Sequence, residues 1–235
     1  MVWLSFHYFL FHGLKALSSS GSGNSQDRDW ETTGLVSGYH EMIQLCILPL
    51  DHNYDQLDVP PLYVNMRAEK LERVHPRAMQ VNKINIVEHN KTAMDPIDAI
   101  DYFADWFADT HAKLQMKADK MIIPLAQNWS FDQGFIKHWL GFLDGAEDYD
   151  RRPIMDTYFG RQYKDLKPVA EYVNDVADSL GGEYPLPKTG LGNICHRLGV
   201  ERMNAHDALG DCIDLAKCYK KVSRLKVDLH EVDFY

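Results

Sequence analysis

Apolar and polar positions divide the chain into a short series of patterned segments. Val2 to Leu17 is strongly apolar and aromatic, and Ser18 to Ser25 is almost all Ser and Gly. The apolar run is too short for a transmembrane helix, is interrupted by His7, His12 and Lys15, and lacks the basic leader of a signal peptide. The Ser/Gly stretch reads as a flexible linker. Glu41 to Leu50 carries Met42, Ile43, Leu45, Cys46, Ile47 and Leu48, which predicts a strand buried on both faces. Residues 51 to 92 are mixed, with Tyr63-Val64 and Ile84 to Val87 read as short strand pieces.

Helical spacing dominates the remainder. Asp95-Pro96 supplies an N-cap and a first-turn proline, and Ile97, Ile100, Ala104, Phe107, Ala108 and Leu114 recur at helical intervals. Lys120 to Leu125 reads as a short buried strand despite Pro124. Ser130 is the expected cap of the next helix, with Phe135, Ile136, Trp139, Leu140 and Leu143 as its stripe and Asp132 at the head of that stripe. Further helices are expected at Val169 to Leu180, stopped by Gly181-Gly182, and through Leu191, Ile194, Cys195 and Leu198 to Gly199. The last runs from Ala208 to about Val222, with Asp211, Leu215, Cys218 and Val222 on one face. The sum is an α/β domain, its strands mostly early and its helices mostly late.

At 235 residues the chain suits one sizeable domain, or one domain with a tail. The four cysteines, at 46, 195, 212 and 218, include no CxxC pair and read as reduced core residues in a reducing compartment, which favours a cytoplasmic location. A net charge of −9 argues against a broad basic footprint for nucleic acid. It still allows a carboxylate-rich nuclease site, because bound divalent cations reverse the local field. The basic stretch Lys217, Lys220, Lys221, Arg224 and Lys226 reads first as a solvated helix face.

Three short pieces carry candidate chemistry. In Asp29-Trp30-Glu31, an extended backbone would put both carboxylates on one face, an arrangement suited to hard divalent cations. In Asn128-Trp129-Ser130-Phe131-Asp132, a polar loop leads into a helix whose first turn holds a carboxylate. In His206-Asp207-Ala208-Leu209-Gly210-Asp211, a loop histidine precedes a carboxylate on the inner face of the final helix. Each piece alone has an ordinary structural explanation, such as a solvated acidic pair, a dipole-favoured Asp or a surface His.

Together and in this order they resemble the DnaQ-like exonucleases of the DEDDh type. Asp29-Trp30-Glu31-Thr32-Thr33-Gly34-Leu35 is similar to the first motif of that family, Asn128 to Asp132 to the second, and His206 to Asp211 to the third, with the five-residue step of the His subtype. Pro76 to Ile84 resembles its connecting segment. The resemblance covers Asp29 to Tyr219 and implies a ribonuclease-H-like fold, a mixed central sheet flanked by helices. It implies that Asp29, Glu31, Asp132 and Asp211 hold two Mg²⁺ or Mn²⁺ ions and that His206 is the general base. It also implies that Thr32, Leu35 and Asn128 meet the substrate. The implied reaction is 3′→5′ exonucleolysis of single-stranded or frayed DNA or RNA ends, releasing nucleoside 5′-monophosphates. Such chemistry serves repair or proofreading and needs no membrane.

The chain departs from the family pattern just upstream of Asp29. A buried apolar strand should lead into the first motif, yet Gly23 to Arg28 contains nothing apolar. This divides the chain into an atypical tail and linker at 1–28 and an exonuclease domain at 29–235. Three accounts compete: the run Val2 to Leu17 supplies a replacement strand or docking helix; the first strand is shortened; or the N-terminus reflects a wrong start, splice or frame. The abrupt change of composition favours the last. An abnormal first strand also leaves a second functional reading, a catalytically impaired nucleic-acid-binding or regulatory module, although the presence of all five side chains favours the enzyme. Gln127, where many relatives carry His, is expected to matter little.

Overall fold

The computed structural model describes residues 8–12, 32–117, 120–141, 155–202 and 208–224. Its centre is a five-stranded sheet in the order β3-β2-β1-β4-β5. The strands are β1 (Tyr8–His12), β2 (Gln44–Leu50), β3 (Leu62–Asn65), β4 (Ile123–Ala126) and β5 (Lys164–Asp165). β1 runs antiparallel to β2, from Tyr8↔Leu50 to His12↔Cys46, and parallel to β4, from Tyr8↔Ile123 to Leu10↔Leu125. β3 is antiparallel to β2 and β5 parallel to β4, so the sheet is mixed. The fold class is the ribonuclease-H-like α/β architecture.

The middle strand therefore comes from the apolar run upstream of the Ser/Gly stretch. Tyr8–His12 pairs with both β2 and β4, as the replacement-strand account expects. β1 also lies upstream of the boundary drawn at residue 28.

β2 alternates between two apolar layers, which explains why all its residues are buried. Leu45 and Ile47 face one cluster with Leu62 and Val64 of β3. In that cluster they meet Ile100 and Phe103 of α3 (Pro96–Lys113) and Phe135, Ile136 and Trp139 of α4 (Trp129–Leu140). Cys46, Leu48 and Leu50 face the other, with residues of α6 (Leu166–Ser179), α7 (Leu191–Arg197) and α8 (Ala208–Val222). A four-residue α5 (Met155–Tyr158) closes the edge beside α4.

Several local expectations are corrected. Ile84 to Val87 is no strand: Asn85 caps α2 (Ile86–Thr92), its Oδ1 accepting from the Val87 and Glu88 amides. The connecting segment forms α1 (Pro76–Asn82). The α3 stripe is turned from its expected face, with Ala99, Ile100, Phe103, Trp106 and Thr110 buried and Ile97 exposed, because the aromatic residues fill the larger volume over the sheet. Asn128, not Ser130, is the N-cap position of α4; Ser130 sits inside the first turn and donates to Asn128 Oδ1 at 3.2 Å. Leu143 lies outside the described residues. α8 spans the expected residues, its predicted face is buried, and the four cysteines are buried and free. No helix among the described residues is long and apolar enough to cross a membrane.

Candidate active site

Parallel pairing brings the C-terminal ends of β1 and β4 to the same edge of the sheet. In open α/β sheets this edge is where ligands gather. α4 begins three residues after β4 ends, so Asp132, in its first turn, stands beside that edge and is only 2% exposed. α8 arrives from the opposite face. The Cys212 thiol reaches the carbonyl oxygen of Cys46 at 3.9 Å, and Cys46 is the register partner of His12, the last residue of β1. Asp211, next to Cys212 and 0% exposed, is thereby set at the same end. Asp29, Glu31 and His206 lie outside the described residues. Among the described residues no three His, Cys, Asp or Glu side chains form a metal-holding group.

The turn after the first motif is firmly held. The Thr32 hydroxyl is buried and donates to the Gly34 carbonyl at 2.5 Å. Its carbonyl accepts from Asn82 Nδ2 at 3.3 Å, and the Thr33 carbonyl accepts from the His75 amide at 2.7 Å. Residues at the two ends of α1 thus grip this turn, a role the sequence did not reveal because the contacts span some fifty residues in the case of Asn82. His40 Nδ1 accepts from the Val36 amide at 3.0 Å, and burial of the ring lowers its pKa. Leu35 projects from the same turn with 38% of its surface exposed. The Gly134 backbone in α4 comes so close to Ser37 that a Cβ there would lie 2.9 Å from the hydroxyl, so turn and helix abut.

Asp165 fixes the start of α4 from the neighbouring strand. One of its oxygens accepts from the Trp129 amide at 2.8 Å and the other from the Lys167 amide at 3.0 Å. Two helix N-termini therefore share one carboxylate, satisfying amides that a helix end leaves open. Burial pushes the Asp165 carboxyl up and the two amide bonds pull it back in part. Gln127 is buried, and its Nε2 donates to the Thr189 carbonyl. Among the basic residues of the last helix, Lys220 pairs with Asp55 and Lys221 donates to the Leu198 carbonyl.

Electrostatically the α8 edge is a carboxylate pair held by one cation. Arg202 donates through Nη2 to Asp211 and lies 3.2 Å from Asp214 through Nε. Burial raises the Asp214 carboxyl, and Arg202 opposes the rise. Arg202 is itself a residue that sequence reading missed, since nothing in Glu201-Arg202-Met203 marks it. Asp132 and Asp211 are buried carboxylates, the donor type that hard divalent ions take, and Arg202 is the cation that pairs with Asp211 in their absence.

A mixed sheet in the order β3-β2-β1-β4-β5 with helices packed on both faces is the ribonuclease-H-like fold. The chain belongs to the RNase_T exonuclease family, which matches residues 28–219. It is 23% identical over 199 residues to the 3′-5′ DNA exonuclease Cap18 of Escherichia coli, covering 84% of this chain and 90% of that one. Among solved structures it is similar to the zinc-bound complex of E. coli exonuclease I with single-stranded DNA. The TM-score is 0.59 at 16% identity, over 93% of this chain. The chain spans about two fifths of that protein, 41%. It is also similar to the nuclease domain of 3′hExo, a DEDDh family member bound to rAMP. There the TM-score is 0.57 at 11% identity, with 94% of each chain covered.

Proposed function

We propose that this chain is a 3′→5′ exonuclease that trims single-stranded or frayed ends of DNA or RNA with two Mg²⁺ or Mn²⁺ ions and releases nucleoside 5′-monophosphates. The observation that carries the reading is the exonuclease family match, joined by two buried aspartates, Asp132 in the first turn of α4 and Asp211 in the first turn of α8.

Asp29, Glu31, Asp132 and Asp211 are the residues that hold the ions. When bound, the ions stabilise the attacking and leaving oxygens of an in-line displacement at the scissile phosphate. His206, adjacent to the start of α8, accepts the proton of the attacking water, a task suited to an imidazole near neutral pH. Leu35 offers its exposed apolar side chain to the terminal base, and Thr32 and Asn128 shape the backbone around the 3′ end. Pre-frayed or single-stranded ends spare the cost of unpairing. The four buried, free cysteines are consistent with work in a reducing, cytoplasmic compartment.

Product analysis tests this reading. Chromatography of a Mg²⁺ digest of short DNA and RNA strands should yield nucleoside 5′-monophosphates drawn from the 3′ end. Nucleoside 3′-monophosphates, or release from the 5′ end, would contradict it.

A further inference from the structure

The turn after the first motif brings an aromatic ring and a cation together at the surface. The Val36 carbonyl accepts from the Tyr39 amide at 3.2 Å and from the His40 amide at 2.8 Å, with Gly38 at φ +83° between them. Leu35, Val36 and Tyr39 are all exposed, Tyr39 by 51%. Single exposed apolar residues need no explanation, but three on one turn mark a contact surface. The Arg73 guanidinium lies over the Tyr39 ring, 5.0 Å from its centroid, and the His40 ring meets it edge-on at 4.9 Å. These contacts set the ring's orientation and leave about half of the residue open to a ligand.

The segment that supplies Arg73 is basic in an acidic chain. Lys70 to Arg77 holds three cations, Lys70, Arg73 and Arg77, against one carboxylate, Glu72, whereas the whole chain carries −9. It is fastened to the turn at two points. The Lys70 amide donates to Glu41 Oε2 at 2.9 Å, and the His75 amide donates to the Thr33 carbonyl at 2.7 Å. Glu72 lies 3.7 Å from Arg73 Nε but is largely exposed, so water screens the pair. On its other side the turn abuts α4, where Ser37 meets Gly134, two residues past Asp132.

We propose that Tyr39 and Arg73 form a platform for single-stranded nucleic acid, on which a base upstream of the 3′-terminal nucleotide stacks on the Tyr39 ring while Arg73 takes the adjoining phosphate. The chemistry selects this occupant. Every base presents a π-face to an aromatic ring, and a guanidinium both stacks on rings and holds phosphate through paired hydrogen bonds. One exposed turn offers too little surface for a stable protein interface. The order of residues gives the strand a direction: Leu35 adjoins the motif, and Tyr39 lies four residues further along the chain.

The direction of the strand rests on the proposed function, so binding and cleavage are read separately. Anisotropy of 5′-labelled oligothymidylate and oligouridylate is followed in Ca²⁺, with strand integrity checked on a gel. The proteins are the parent, Tyr39→Phe, Tyr39→Leu, Tyr39→Ala, Arg73→Ala and, as an exposed tyrosine on α6, Tyr172→Ala. Thermal unfolding checks each fold, and Tyr39→Leu carries the test if Tyr39→Ala does not fold. Tyr39→Ala and Tyr39→Leu should raise Kd about fivefold or more, the low end for one base–aromatic stack. Tyr39→Phe and Tyr172→Ala should bind as the parent does. Arg73→Ala should weaken binding and reduce the slope of log K against log salt by about 0.7, the loss of one phosphate contact on a single strand. Parent-like binding by the Tyr39 variants that lack a ring, equal weakening by Tyr172→Ala, or no binding by the parent overturns the platform. If binding changes as expected and no strand shortens in Mg²⁺, the exonuclease reading fails and the platform stands. Shortening in Mg²⁺ with parent-like binding in every variant does the reverse.

Discussion

Arg202 bridges two carboxylates one turn apart on α8, donating to Asp211 through Nη2 and lying 3.2 Å from Asp214 through Nε. Both aspartates are buried, Asp211 fully. Removing one partner of a buried ion pair costs about 3–5 kcal/mol, because a charge is left without compensation. Arg202→Met should therefore lower the thermal midpoint in EDTA. A divalent cation at Asp211 would replace part of the lost charge, so Mn²⁺ should restore more stability to Arg202→Met than it adds to the parent chain. Equal Mn²⁺ increments in the two proteins would count against metal binding at Asp211.

Gly34 sits against the His40 ring. A Cβ on Gly34 would lie 2.1 Å from His40 Cδ2, far inside contact distance. Gly34→Ala should destabilise the turn by about 1–3 kcal/mol, the usual cost of overpacking. His40→Ala removes the obstruction, so the double variant should recover much of the loss relative to His40→Ala alone. Denaturant unfolding of the four proteins measures the coupling, and strict additivity would refute the steric account.

The same histidine sets a pH dependence. Burial holds the His40 pKa below its ordinary value of 6.5, and burial does the same for His138 on α4. The unfolded chain then binds protons that the folded chain refuses. Stability from these groups is present above pH 6.5 and is lost as pH falls through the depressed folded values. His40→Asn keeps an acceptor for the Val36 amide and cannot titrate. Its unfolding free energy should fall less steeply below pH 6.5 than that of the parent. Asp165 and Asp214 have raised values and work in the opposite sense at lower pH, their contribution declining as pH rises through the folded values. A steeper slope in His40→Asn would contradict the assignment.

Phe103 anchors the layer over α3 and α4. It is fully buried, stacks on Phe159 at 6.0 Å between ring centroids and meets Tyr158 edge-on at 4.8 Å. Phe103→Ala should cost about 3–5 kcal/mol of stability through lost burial and a cavity. Calorimetry would show it as a drop in midpoint, and a change no larger than that of an exposed site such as Tyr172→Ala would refute the packing role.

Much of this architecture is readable from residue pattern. β2 announces itself because both faces are apolar, and α8 because Asp211, Leu215, Cys218 and Val222 recur on one face. α2 escapes the pattern because Asn85 caps a seven-residue helix in which no residue is buried, so it carries no apolar stripe. The α3 stripe is misread because Ile97 fits the helical spacing yet the sheet selects Phe103 and Trp106. At the site, Asp132 and Asp211 both fall in the first turn of a helix, where the apolar stripes put them. The supporting contacts do not show in sequence. Asn82 on the Thr32 carbonyl, Asp165 on the Trp129 amide and Arg202 on Asp211 are set by tertiary geometry, and the residue types involved are common elsewhere in the chain. β1 is the sharpest case, since His12 and Thr32 lie twenty positions apart in sequence yet pair with Cys46 and Met42 of one short segment.

Trimming from the 3′ end, proposed above to need a divalent metal, should depend on both Asp132 and Asp211. The direct measurement is incubation of 5′-labelled single-stranded DNA and RNA with the protein, with Mg²⁺ or with EDTA, alongside Asp132→Asn and Asp211→Asn. The account predicts a ladder shortening from the 3′ end with Mg²⁺ only, and its loss by roughly a hundredfold or more in each variant, of the order seen when a group that stabilises the transition state is removed. An undiminished ladder in either variant, or one that persists in EDTA, would contradict it.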